Sequence, residues 1–162
     1  MRFRGIILGA ITVIGVFLIV LSQQNRDTLR KAVVDLEAPE FSLLNRDGTE
    51  IKLSQFRGKT VFVHFWASWC KECREEMPAI QALYNRKKDN PDFIFISVIY
   101  REDPAKSKQW LDKNKFNIPI YIDRNAKMAK DYGLTGVPET FIIAPGGMLK
   151  KRIIGPGQWD KI

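Results

Sequence analysis

From residue 39 onward the apolar positions follow two alternating rhythms. The stretches 41–44 and 50–53 flank the turn Asn45-Arg46-Asp47-Gly48 and predict a hairpin. Residues 60–66 form a β-branched and aromatic run expected of a buried strand. The run leads directly into Trp69-Cys70-Lys71-Glu72-Cys73, after which Cys73, Met77, Ile80 and Leu83 or Tyr84 recur at helical spacing and predict a helix to about Lys88. A second buried strand is predicted over 93–100, a helix over about 104–115, a short strand over 118–122 and a short helix over about 126–132. Strands over 140–144 and 148–154 enclose Pro145-Gly146-Gly147, a second hairpin turn. Gly157-Gln158-Trp159-Asp160 reads as the opening of another helix. Alternating strands and helices closed by a hairpin predict an α/β domain, with a central mixed β-sheet flanked by helices and an N-terminal hairpin extension.

A different pattern precedes this domain. Residues 5–21 carry one clearly polar side chain, Thr12, and follow Arg2 and Arg4. As a helix rising about 1.5 Å per residue the run reaches roughly 25 Å, near the lower limit for crossing a bilayer. Positive flanks stay cytoplasmic, so the domain beyond is expected on the extracytoplasmic, or periplasmic, side. The division expected is residues 1–22 as a single-pass anchor in the cytoplasmic (inner) membrane, 23–37 as a linker, and 38–162 as the domain. A cleaved signal peptide is the competing reading, with Val20-Leu21-Ser22 a weak cleavage site. Either way the domain is exported.

The formal net charge is +8 over 162 residues, and Arg2, Arg4 and Arg26 account for part of it. The run Arg86-Lys87-Lys88 closes a predicted helix, and no basic stripe interleaved with aromatics accompanies it. Nucleic acid is therefore not an expected partner.

The chain holds two cysteines and one histidine. Four Cys or His ligands are the usual requirement of a closed zinc site, which these three cannot supply. A purely structural disulfide between residues three apart would constrain the unfolded chain little. Redox exchange uses the spacing better. At the start of a helix, free backbone N–H groups and the helix dipole favour the Cys70 thiolate, the expected nucleophile. Cys73, one turn on, is placed to attack a mixed disulfide at Cys70 and release the partner. The cofactor expectation is none beyond the Cys70–Cys73 disulfide itself, with no metal.

The segment Phe65-Trp66-Ala67-Ser68-Trp69-Cys70-Lys71-Glu72-Cys73, followed by Gly136-Val137-Pro138-Glu139-Thr140-Phe141, resembles the thioredoxin superfamily. Ala38-Pro39-Glu40-Phe41, the apolar N-terminus and Pro138-Glu139-Thr140 resemble its TlpA/ResA/CcmG branch of membrane-tethered proteins. The likeness covers nearly all of residues 38–156. It implies a thioredoxin fold and dithiol–disulfide exchange with protein substrates. In that branch the substrate is often apocytochrome c during cytochrome c maturation, and electrons would come from a membrane donor of thiol-reductase type. It also implies that Pro138 is a cis proline facing the cysteines, with the Val137 backbone presented to an extended substrate. Glu139, inside the same motif, is a further candidate.

Glu76 falls on the apolar stripe of the predicted helix, one turn beyond Cys73. A carboxylate there should have a raised pKa and exchange protons with the resolving thiol; similar proteins carry an acid at this position. The competing reading has Glu76 turned to solvent, as Glu75 is expected to be. His64 stands six residues before Cys70, where thioredoxins resemble one another in an acid and the tethered branch often has asparagine. A neutral imidazole there could relay protons, a charged one would oppose Glu76 and raise the reduction potential, and a plain core histidine is the alternative. Trp69 is expected at the rim, shaping partner contact.

The expected function is thus an exported thiol–disulfide oxidoreductase acting as a reductase. A peroxidase and a non-catalytic binding or chaperone module are the alternatives. Peroxiredoxin-type proteins share the Ala-Pro-x-Phe opening, but their peroxidatic cysteine usually follows a Thr three residues earlier, and here that residue is Ala67.

Overall fold

The computed structural model describes Gly15 and residues 32–162. The anchor expected over 1–22 and the first part of the linker expected over 23–37 lie, Gly15 apart, outside the described residues. Among the described residues no helix is long and apolar enough to cross a membrane.

Seven strands form one mixed sheet: β1 (Ser42–Leu44), β2 (Glu50–Lys52), β3 (Thr60–Trp66), β4 (Phe93–Ile99), β5 (Tyr121–Ile122), β6 (Glu139–Ile143) and β7 (Leu149–Ile154). Their order across the sheet is β2-β1-β5-β4-β3-β6-β7. The neighbours β3, β4 and β5 run parallel, while β6 and β7 on one side and β1 and β2 on the other are antiparallel. Among the described residues three α-helices join them: α1 (Lys71–Lys87), α2 (Pro104–Lys113) and α3 (Lys127–Asp131). This is the α/β architecture expected from the sequence, with β1 and β2 as the N-terminal hairpin.

β3 lies inside the sheet between β4 and β6 and decides what each face holds. Successive residues of a strand point to opposite faces. Val61, Val63 and Phe65 enter the core shared with Phe41, Tyr132 and Phe141. Phe62 and Trp66 enter the core beneath α1, with Cys73, Met77, Ile80, Leu83 and Trp159. His64 shares the parity of Phe62 and Trp66, which is why it faces α1.

The structure departs from the pattern where backbone chemistry intervenes. The strand expected over 118–122 shrinks to Tyr121–Ile122 because Pro119 has no amide to donate, although Ile118 and Ile120 are still buried. The helix expected near 126–132 is preceded by a 3-10 turn, Arg124–Ala126, in which Asn125 and Ala126 have φ of 57° and 52°. Asp123 accepts from the amides of Met128 and Ala129 and so anchors α3. The last turn, Trp159–Lys161, is 3-10 rather than an α-helix. Residues 32–37, read from sequence as linker, are hydrogen-bonded onto the domain: Ala32 N donates to Asp131 O, Asp35 N to Leu149 O, and Leu149 N to Leu36 O.

Candidate active site

Cys70 and Cys73 form a disulfide with their Cα atoms 5.3 Å apart. Cys70 is the N-cap of α1: its backbone is extended (φ −77°, ψ 121°) and its Sγ accepts the Cys73 amide at 3.1 Å. The amide left unpaired at a helix start is thus aimed at the sulfur that would carry negative charge. Cys73 is fully buried and Cys70 nearly so, whereas Trp69 beside them is 55% exposed. Both cysteines are thus buried beneath an exposed rim, and the slight exposure that remains is at Cys70. The charged pair between the cysteines is also sorted by the structure. Lys71 turns to Glu75 at 3.7 Å, whereas Glu72 Oε2 lies 3.9 Å from Cys70 Sγ.

The loop delivering Cys70 is held at three points of Ser68. Its amide and its hydroxyl donate to Glu102 at 2.9 and 2.6 Å, and its carbonyl accepts from Arg74 at 3.2 Å. The buried Ser107 hydroxyl donates to the same Glu102 carboxylate, tying the loop to α2.

Facing the cysteines, the Val137–Pro138 peptide bond is cis. The Val137 carbonyl oxygen lies 3.4 Å from Cys70 Sγ, and the Pro138 carbonyl accepts the Gly155 amide at 2.9 Å. Glu139 follows in sequence but not in position. It is fully buried behind the loop, where it accepts from Arg152 Nε at 2.6 Å and from the amide and hydroxyl of Thr135 at 3.0 Å each. Arg152 also donates to Gly133 O at 2.8 Å. Glu139 therefore braces the segment that carries Val137 and Pro138 and does not meet the cysteines.

Glu76 is turned inward and is 7% exposed. Its Oε2 accepts from Trp159 Nε1 at 2.8 Å and from the Gly157 amide at 3.2 Å. Its Oε1 faces His64 Nε2 at 3.5 Å, and neither atom has a hydrogen-bond partner elsewhere. The other ring nitrogen, Nδ1, lies 2.9 Å from Thr140 Oγ1. Burial pushes the Glu76 carboxyl up to about 7, against the smaller downward pull of the Trp159 and Gly157 donors. Burial also holds His64 down at about 3. The imidazole is therefore neutral at working pH, and the opposition to Glu76 expected of a charged His64 does not arise.

The sequence pattern did not single out Trp159, Gly157, Thr140, Glu102 or Arg152 as residues of the site. Trp159 and Glu76 are 83 residues apart in the chain, and no local spacing connects them. The available signal was weaker: a carboxylate on an apolar stripe must find donors somewhere.

The AhpC/TSA family model matches residues 34–152. The thiol-disulfide oxidoreductase ResA of Geobacillus thermodenitrificans is 35% identical over 119 residues, covering 73% of this chain and 67% of that protein. ResA of Bacillus anthracis is 33% identical over 125 residues, covering 77% and 72%. Among solved structures, a protein from Chlorobium tepidum provisionally named thiol:disulfide interchange protein DsbE superposes with a TM-score of 0.69 at 26% identity, covering 81% of this chain and 92% of that one.

Proposed function

The chain belongs to the AhpC/TSA family as a thiol–disulfide oxidoreductase of the ResA type, and from that premise we propose that it reduces protein disulfides outside the cytoplasm. The observation that carries this reading is the Cys70–Cys73 pair at the start of α1, with cis-Pro138 opposite and a buried carboxyl one turn beyond the inner cysteine.

In the reduced protein, the Cys70 thiolate attacks one sulfur of a substrate disulfide, and the other substrate sulfur leaves as a thiolate. Cys73 then gives up its proton, attacks Cys70 Sγ and expels the second substrate thiolate, leaving the Cys70–Cys73 disulfide. The substrate gains two electrons and the cysteine pair loses two. Glu76 takes the Cys73 proton, since a carboxyl titrating at about 7 is present in both forms near neutrality. The rim residues Trp69 and Val137 and the cis-Pro138 turn present the partner backbone to Cys70. Ala67, in place of the expected Thr, leaves peroxidase chemistry without its hydroxyl.

The substrate we assign is apocytochrome c, whose Cys-x-x-Cys-His segment has to be a dithiol before haem attachment. A membrane thiol reductase would return the electrons, and residues 1–22 would anchor the domain. What supports these finer assignments is the resemblance and the apolar run behind Arg2 and Arg4.

The deciding experiment is a redox titration of the chain in detergent, with the state of Cys70 and Cys73 read by alkylation. A potential of about −250 mV or lower is expected of a reductase, and one near about −120 mV would mean a disulfide donor and overturn the reading. Cys70→Ser should abolish turnover of a peptide disulfide.

A further inference from the structure

His64 and Glu76 pose a question that the exchange of disulfides leaves open. Both side chains are buried, one on β3 and one on α1, and each turns its only unpartnered polar atom to the other across 3.5 Å. Each also has its remaining polar atom fixed. Glu76 Oε2 is held by Trp159 and Gly157, and His64 Nδ1 by Thr140. Two facing lone pairs would repel, and a buried ion pair costs more desolvation than a neutral one. One proton between the two atoms removes both problems.

We propose that His64 is a positioning residue for the proton of Glu76. Its Nδ1–H donates to Thr140 Oγ1, so that the Nε2 lone pair accepts the O–H of the Glu76 carboxyl at Oε1. The inference rests on the reading in which Glu76 serves the resolving thiol, and extends it by naming what controls that carboxyl. His64 thus holds the Glu76 proton on the Oε1 side while the carboxyl is neutral; in that form Glu76 is an acid toward the inner cysteine, and only after giving up this proton is it the base that takes the Cys73 proton.

The surroundings isolate the pair. β4 contributes Ser97, whose hydroxyl accepts from Trp66, and β6 contributes Thr140; neither is charged. α1 contributes Cys73 as the other titratable group on this face. The closing segment contributes Trp159 and Gly157, with Asp160 and Lys161 exposed. Arg86, the nearest cation of α1 to that segment, donates to the Trp159 carbonyl at 2.7 Å and not to the carboxylate. The neutral imidazole and a carboxyl titrating at about 7 agree with this arrangement.

The chain has a single histidine, so its ring nitrogen signals need no resonance assignment. The oxidised full chain in detergent is prepared with ¹⁵N-histidine and ¹³C-carboxyl glutamate. Between pH 5 and 6 the ring is expected as the neutral Nδ1–H tautomer, with Nε2 unprotonated. Glu76→Gln identifies the Glu76 carboxyl signal and should shift the Nε2 resonance. Thr140→Val removes the Nδ1 partner and frees the ring to place its proton on Nε2, where it stabilises the carboxylate. The Glu76 midpoint should then fall by roughly one pH unit, the size of one hydrogen bond to a charged group. Thr140→Ser keeps the hydroxyl and should restore the original midpoint. An imidazolium, a dominant Nε2–H tautomer in the parent chain, or a midpoint unmoved by Thr140→Val would overturn the proposal. None of these results depends on the reduction potential, so this inference and the reductase reading can fail separately.

Discussion

Glu76 and His64 are displaced from their ordinary pKa values in opposite directions, and both displacements have consequences for stability. The Glu76 carboxyl rises from 4.5 to about 7 on folding, so the folded state binds its proton more tightly. That contribution is complete below about pH 4.5 and is lost as pH climbs through 7. His64 falls from 6.5 to about 3, so the unfolded chain binds its proton more tightly. Its contribution is present above pH 6.5 and is lost as pH drops toward 3. Each group alone changes stability by about 1.4 kcal/mol per pH unit across its window. Between about pH 4.5 and 6.5 these two contributions nearly cancel, so the parent chain serves as the reference slope in urea unfolding. Glu76→Gln exposes the histidine, and stability should then rise with pH across this range. His64→Asn exposes the acid, and stability should fall with pH. Equal slopes in the two variants would contradict the assignment.

The strands and loops around the cysteines are joined through carboxylates, of which Glu139 is fully buried and Glu102 partly so. Glu139 opens β6, Arg152 reaches it from β7, and Thr135 and Gly133 bring in the loop that ends at cis-Pro138. Removing the cation strands a fully buried carboxylate without its charge partner. Arg152→Ala should therefore cost about 3 kcal/mol in denaturant unfolding, far more than an exposed lysine such as Lys151 would. Because the bracing holds Val137 and Pro138, the same variant should also slow peptide disulfide turnover. Glu102 does the equivalent task for Ser68 and the loop before Cys70.

The domain is assembled around the C-terminal ends of the parallel strands, where β3 hands over to α1 and the hairpin β6–β7 returns beside it. Its N-terminal margin lies before residue 38, because residues 32–38 add backbone bonds to Asp131, Leu149 and Gly147 and bury Ala32 and Ala38. A chain starting at residue 32 should match the unfolding midpoint of the full chain's domain. One starting at residue 39 should lose about 3 kcal/mol, from several backbone hydrogen bonds at about 1 kcal/mol each.

Local chemistry was enough for much of this. β-branched and aromatic runs gave β3 and β4, Asn45-Arg46-Asp47-Gly48 and Pro145-Gly146-Gly147 gave the two hairpins, and the helical stripe through Cys73 and Met77 put Glu76 on the inner face of α1. Those features depend on residues within one or two turns of each other, which sequence spacing records directly. The position of Cys70 at a helix start was legible for the same reason. Tertiary structure decided what those side chains meet. Trp159 reaches Glu76 from 83 residues away, Thr140 reaches His64 from 76, and Arg152 folds back on Glu139 across a hairpin. A buried polar group announces that it needs a partner but not which distant residue supplies it, because that choice is made by the packing of whole strands and helices. The charge state of His64 belongs to the same class, since it follows from a desolvation that only the assembled core imposes.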